Sequence, residues 1–365
     1  EILFILVVVL QDQHKLGEAI EAYKRALLIK PDYAEACNNL GTVLADLGKL
    51  EEAIDAYTKA VSIKPDYAEP YNNMGNAHQD LSELDEAIEA YSKALSIKPD
   101  YAAAYNNMAN ALKGVIFNKP NRGLQTTIVS LLENERYVRP RDICKAAISL
   151  LKLEPNLQKI IQLADTEVIK SPLDIILELN EFPLLIKLMS VCSLPDLGLE
   201  RLLINLRYSI LSNISSLKET TSALLKFQSA LALQCFTNEY IYSQNKDEKN
   251  KVQKLEASVK KAFNNNKQPS PQVILALASY KALNHYDWYN SLVVTDEIRG
   301  VAIRQIDEPE NEKSLKIKIP ILTEITDNIS SKVREQYERS PYPRWVNLGL
   351  NLKPISILQV VNKIN

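Results

Sequence analysis

The chain has 365 residues with 43 Lys and Arg against 45 Asp and Glu, a net charge of −2, which argues against nucleic acid or an anionic membrane as partner. Four separated cysteines, Cys37, Cys144, Cys192 and Cys235, form no C-x-x-C pair, and three histidines are scattered, so neither a disulfide framework nor a metal site is expected. Nine glycines form no G-x-G, P-loop or G-x-S-x-G, which leaves no recognisable catalytic loop.

Glu1 to Leu10, EILFILVVVL, is too short to span a bilayer and has neither a basic leader nor a small-residue cleavage site. Counting back 34 residues from Leu40 lands on Leu6, so this stretch reads as the first helix of an early unit that Gln11 to Lys30 completes. Its apolar edge carries the expectation that further units precede it.

Ala34–Tyr67 recurs almost letter for letter as Ala68–Tyr101, with Pro31, Pro65 and Pro99 spaced 34 apart. Small residues fall where two helices must touch: Gly41, Gly75 and Ala109 at position 8 of the repeat, Ala19, Ala53 and Ala87 at position 20, and Ala26, Ala60 and Ala94 at position 27. Leu40, Met74 and Met108 with Tyr23, Tyr57 and Tyr91 fill the space around them, all at helical spacing. The prolines end each second helix, and Asp32, Asp66 and Asp100 are expected to cap the next one. Ala102 to Lys113 begins a third unit whose partner helix does not follow in the same pattern.

The period and these residues are identified as tetratricopeptide repeats, helix–turn–helix units that stack into a solenoid. The resemblance implies that positions 2, 5, 6, 9, 12 and 13 of each first helix line a concave groove. Those positions carry Asn38 and Asn39, Asn72, Asn73 and Asn76, and Asn106, Asn107 and Asn110. An amide holds donors and an acceptor together, which suits an extended peptide backbone. The repeats of O-linked N-acetylglucosamine transferase resemble this; the bland alternative is a solvated surface. The groove lacks the recurring Lys and Arg of repeats that clamp a C-terminal carboxylate. His78 occupies a packing position and His14 a turn, while His285 has no evident partner.

A break at VIFNKPNRG puts a domain boundary near Lys113–Gly114. Beyond it, helical spacing predicts helices over Leu124–Glu135, Arg141–Leu153, Leu157–Asp165, Pro172–Leu179, Pro183–Cys192, Leu197–Asn213, Glu219–Thr237 and Asp247–Asn264. Ser243–Lys251, SQNKDEKNK, reads as a solvated connector, and Asn264–Gln272 as a loop and second boundary. Gln272–Leu283 is an amphipathic helix, HYDWYNSL brings two aromatics together, EPENEKSL opens an acidic turn, and Ser330–Glu338 is a last helix. The fold expected is all-α, with repeats over 1–113, an irregular helical region over 114–268 and a helical and extended connector over 269–365.

Val333 to Val346, VREQYERSPYPRWV, resembles the segment preceding the catalytic domain in bacterial tetratricopeptide-repeat methyltransferases. Ala276–Trp288 and Ile319–Glu338 agree with that order, whereas Arg339 and Ser340 depart from the usual Glu and Asn. The resemblance implies a class I S-adenosylmethionine-dependent domain in the parent protein, with Tyr337, Tyr342, Arg344 and Trp345 at the edge of its pocket or in a strap that docks it. The glycine-rich donor loop is not among these residues, so the expectation is an internal fragment of a bacterial cytoplasmic protein. As such it has no catalytic residue, no cofactor and no metal of its own, and a protein or peptide as its partner. The alternatives are a non-enzymatic adaptor and the arm of a glycosyltransferase.

Overall fold

The computed structural model describes residues 16–134, 136–166, 171–215 and 221–318. Among these the secondary structure is helical throughout, with no strand. The chain forms two compact units.

The first unit holds the described residues up to Val115 together with Asn134–Ile143. Its helices are α1 (Leu16–Ile29), α2 (Ala34–Asp46), α3 (Leu50–Ile63), α4 (Ala68–Asp80), α5 (Leu84–Ile97) and α6 (Ala102–Leu112). Each packs on the next, and α2, α4 and α6, the first helices of successive repeats, also touch one another. Gly41 and Gly75 let the paired helices close up: a Cβ there would lie 2.5 Å from the ring of Tyr57 or Tyr91. Those rings and Ala53, Ala60, Ala87 and Ala94 are essentially buried. In the third unit no such tyrosine follows, and Ala109 takes the glycine's place.

The cap expected from Asp32, Asp66 and Asp100 is not used. The N-caps of α2, α4 and α6 are Tyr33, Tyr67 and Tyr101, and no side chain caps these helices. The Pro–Asp pair is spent on the turn one residue too early to reach the free N–H groups. In place of a helix packed as before, Tyr137 stacks on Tyr105 at 5.7 Å between ring centroids, and Asn134 donates to the Tyr105 hydroxyl at 2.9 Å.

The second unit comprises Ile116–Glu133 and the chain from Cys144 onward. Its helices are α7 (Arg122–Glu133), α8 (Pro140–Leu151, whose first turn belongs to the first unit), α9 (Pro155–Thr166), α10 (Pro172–Asn180), α11 (Pro183–Val191), α12 (Leu197–Asn213), α13 (Ser222–Thr237), α14 (Lys246–Asn264), α15 (Pro271–Ala278), α16 (Asp296–Ala302) and α17 (Glu308–Lys318). Side-chain caps start several of them: Asn121 on Leu124, Asp196 on Leu199, Thr221 on Leu224 and Asn245 on Glu248.

Four expectations are corrected here. The boundary near residue 268 does not separate packing units, because Ala232 and Val259 share one core with Ile274, Leu277, Tyr286, Trp288, Val301 and Ile306. The polar stretch at 243–251 is not a solvated connector: α14 begins inside it, and Glu248 is buried. The acidic turn at 308 is instead α17, reached from α16 through a π-helical turn at Ile303–Asp307. Pro309, which has no N–H to donate, directly follows this π-helical turn in a helix that runs on without a break. The helix expected over Gln272–Leu283 stops at Ala278, where the Ser279 hydroxyl bonds back to the Leu275 carbonyl at 3.0 Å. Tyr286 and Trp288 stack at 4.7 Å, and Trp288 stacks on Phe263 at 5.3 Å.

Candidate functional site

The side-by-side first helices bring the asparagines together as a connected chain of amides. Asn107 donates to Asn72 at 3.0 Å, Asn72 to Asn73 at 3.4 Å, Asn73 to Asn38 at 3.1 Å and Asn38 to Asn39 at 3.3 Å. Asn38 also lies 3.4 Å from Glu69. Position 5 points between the helices and position 6 back toward the preceding repeat, so the amides bridge repeats by pairing with each other.

This divides the expected groove residues. Asn38 and Asn72 are buried and committed to the fold, so they are withdrawn as ligand contacts. Asn39, Asn73 and Asn107 are half-buried, while Asn76, Asn106 and Asn110 are exposed. Asn76, Asn107 and Asn110 line a polar depression of about 340 Å³ together with Gln79 and Asp80. Positions 12 and 13 of the repeat pointed to Gln79 and Asp80, but their side chains were not singled out with the amides. The Tyr91 hydroxyl lies 2.8 Å from Asn76 Oδ1 and 3.0 Å from Gln79 Oε1, which orients both. The Asn76 NH2 then has no partner among the described residues.

The surroundings are acidic. Glu35 pairs with Lys64 at 3.6 Å, and Glu69 accepts from Tyr67 at 3.4 Å. Burial, with the carboxylates of Glu69 and Glu35, pushes the Tyr67 phenol up to about 12. Lys30, Lys64 and Lys98 each sit over the ring of the tyrosine three residues on, at 4.9, 5.1 and 5.0 Å. That recurring pair braces the turn between repeats. His78 is bound through Nδ1 to Glu83 at 2.7 Å across the turn that joins α4 to α5.

No group of His, Cys, Asp or Glu among the described residues could hold a metal ion, and no described helix is long and apolar enough to cross a membrane. Tyr337, Tyr342, Arg344 and Trp345 lie outside the described residues, as do Glu1–Leu10, His14 and the helix expected at 330–338.

The stacked hairpins and their small-residue contacts define a helical repeat protein. Family profiles agree: one described as TPR repeat matches residues 9–48 and 41–82, and one described as tetratricopeptide repeat matches 68–101. Residues 9–101 are therefore a run of tetratricopeptide repeats.

Among solved structures, the second such domain of human RPAP3, in complex with the HSP70 peptide SGPTIEEVD, is 22% identical. The match covers 30% of this chain and 92% of that one, with a TM-score of 0.30. A crystal structure of MamA is 22% identical over 42% of this chain and 77% of that one, with a TM-score of 0.29. The O-GlcNAc transferase of Thermobaculum terrenum is 22% identical over 41% and 25%, with a TM-score of 0.31. These likenesses are of fold only. Among curated proteins, no sequence matches the chain significantly.

Proposed function

We propose that the repeat unit captures an extended stretch of another polypeptide along the face formed by α2, α4 and α6. The observation that carries this reading is the polar depression in which Asn76, Asn107 and Asn110 converge with Gln79 and Asp80. A backbone laid there meets donors and acceptors at repeat intervals, without any need for a deep apolar pocket. The amide pairing holds Asn73 and Asn107 in place, and the Tyr91 hydroxyl holds Asn76, before a partner arrives, which lowers the ordering cost of binding.

The test is fluorescence anisotropy with a pool of labelled extended peptides, on the full chain and on Asn76→Ala/Asn110→Ala. Weaker binding by the variant with unchanged Tm supports capture at this face. Equal binding by both proteins would place the contact elsewhere.

We further propose that this chain serves as the recognition and linker part of a larger methyltransferase, a reading supported by the segment Val333–Val346. A tethered recognition arm raises the effective concentration of the substrate at a catalytic domain. Transfer itself depends on holding nucleophile and methyl donor in line, so an arm that positions the acceptor contributes to rate. S-adenosylmethionine titrated into this chain should give no binding heat, and micromolar affinity would overturn that. Reading the coding sequence beyond Asn365 decides the rest: a strand followed by G-x-G-x-G supports the methyltransferase, and an immediate stop supports an adaptor.

A further inference from the structure

We infer that the groove selects an extended polypeptide carrying Lys or Arg side chains about three residues apart, a proposal that rests on the capture reading above and adds the partner's chemistry. Asp46 and Asp80 occupy the same place in successive repeats, each the last residue of its helix, α2 and α4. Both are exposed, and neither has a hydrogen bond or ion pair among the described residues. The other two carboxylates on this face are engaged, Glu35 by Lys64 and Glu69 by Asn38 and Tyr67.

A carboxylate at a helix C-terminus meets the negative end of the macrodipole and destabilises the helix. Here that unfavourable placement occurs twice with no compensating partner, so the fold does not account for it. Asp80 also shares the depression with Asn76, Gln79, Asn107 and Asn110. The field there is negative: burial first, and then Asp46 and Asp80 respectively, raise the phenols of Tyr57 and Tyr91. Among the groove positions of the three first helices, Lys113 is the single base. A cationic side chain would reach these carboxylates while its backbone meets the amides.

The spacing follows from packing geometry. The first helices of successive repeats are neighbours, and packed helices lie about 8–10 Å apart. An extended chain advances about 3.3 Å per residue, so one repeat matches roughly three residues of ligand.

The experiment uses three labelled peptides of about twelve residues on one Gly/Ser/Thr backbone, with Lys, Gln or Glu at every third position. Anisotropy is measured on the full chain and on Asp46→Asn/Asp80→Asn. The lysine peptide should bind tightest and the glutamate peptide weakest, with the difference shrinking as salt is raised. The double substitution should weaken the lysine peptide about tenfold and leave the glutamine peptide unchanged. Its Tm should hold or rise; a fall would assign the carboxylates to the fold and overturn the inference. Equal binding of all three peptides, lost in Asn76→Ala/Asn110→Ala, would overturn charge selection while leaving capture standing. Preference for the glutamate peptide would also overturn it, and binding of none of the three would overturn both.

Discussion

Arg207 and Glu248, on α12 and α14, form an ion pair at 3.1 Å in which the side chains are 1% and 2% exposed. Arg207 also donates to the Ser243 carbonyl at 2.8 Å and lies over the Tyr280 ring at 4.5 Å, while the Tyr280 hydroxyl donates to Glu248 at 2.7 Å. Burial pushes the adjacent Cys235 thiol up to about 12, against the pull of Arg207, so it stays protonated. Either Arg207→Met or Glu248→Gln should destabilise the second unit by about 3–5 kcal/mol, because the remaining partner is left buried without its complement. Replacing both residues should cost less than either single change. Urea unfolding followed by circular dichroism measures all three, and a double variant less stable than both singles would contradict the pairing account.

Gly75→Ala tests the close approach of paired helices. The new Cβ would meet Tyr91 ring carbons at 2.5 and 2.6 Å, and that ring is fully buried. Overpacking of this kind costs about 1–3 kcal/mol. Ala109→Gly, at the same repeat position but without a tyrosine opposite, should cost about 0.5–1 kcal/mol through helix propensity alone. Comparing the two in thermal melts separates packing from propensity.

The two classes of asparagine should behave in opposite ways. Asn72→Ala removes the acceptor of Asn107 and the donor to Asn73 within a half-buried network, and should cost about 1–3 kcal/mol. Asn110→Ala changes an exposed side chain and should leave Tm within about 0.5 kcal/mol of the parent while weakening peptide binding. A loss of stability in both variants would mean that the amides serve the fold alone.

Asp196 supplies a pH signature. Burial would raise its carboxyl, but the hydrogen bond from Lys152 at 2.7 Å and those from the Leu199 and Gly198 N–H groups more than offset this and hold it below 3.8. Since the folded value is depressed, its contribution is fully present above about pH 5 and is lost as pH falls below 3.8 through the folded value. Asp196→Ala should lower stability by about 1 kcal/mol at neutral pH and by less in acid. Urea midpoints across the acid range check this; an undiminished difference at low pH would show that the cap works without its charge.

Much of the first unit was legible because its information is local. Spacings of three, four and seven residues put Ala53, Tyr57 and Ala60 on one helix face, and a 34-residue period sets which faces meet. The bounds of α12 follow the sequence pattern to the residue, since Asp196 marks the start and the apolar rows run unbroken. The second unit was less legible. Lys, Glu and Asn around Glu248 look like a surface loop until Arg207, 41 residues away, is brought beside it.

The sequence by itself determined the repeat, its close helix contacts and the row of amides, because all of these depend on periodicity along one helix or its neighbour. Tertiary structure decided which amides can meet a partner. It turned Asn38 and Asn72 inward, left Asn76 and Asn110 outward and set Asp80 beside them. It also joined the helices on either side of residue 268 into one core. The reason is physical: propensity and spacing act over a few residues, whereas burial and pairing depend on what the rest of the chain places opposite.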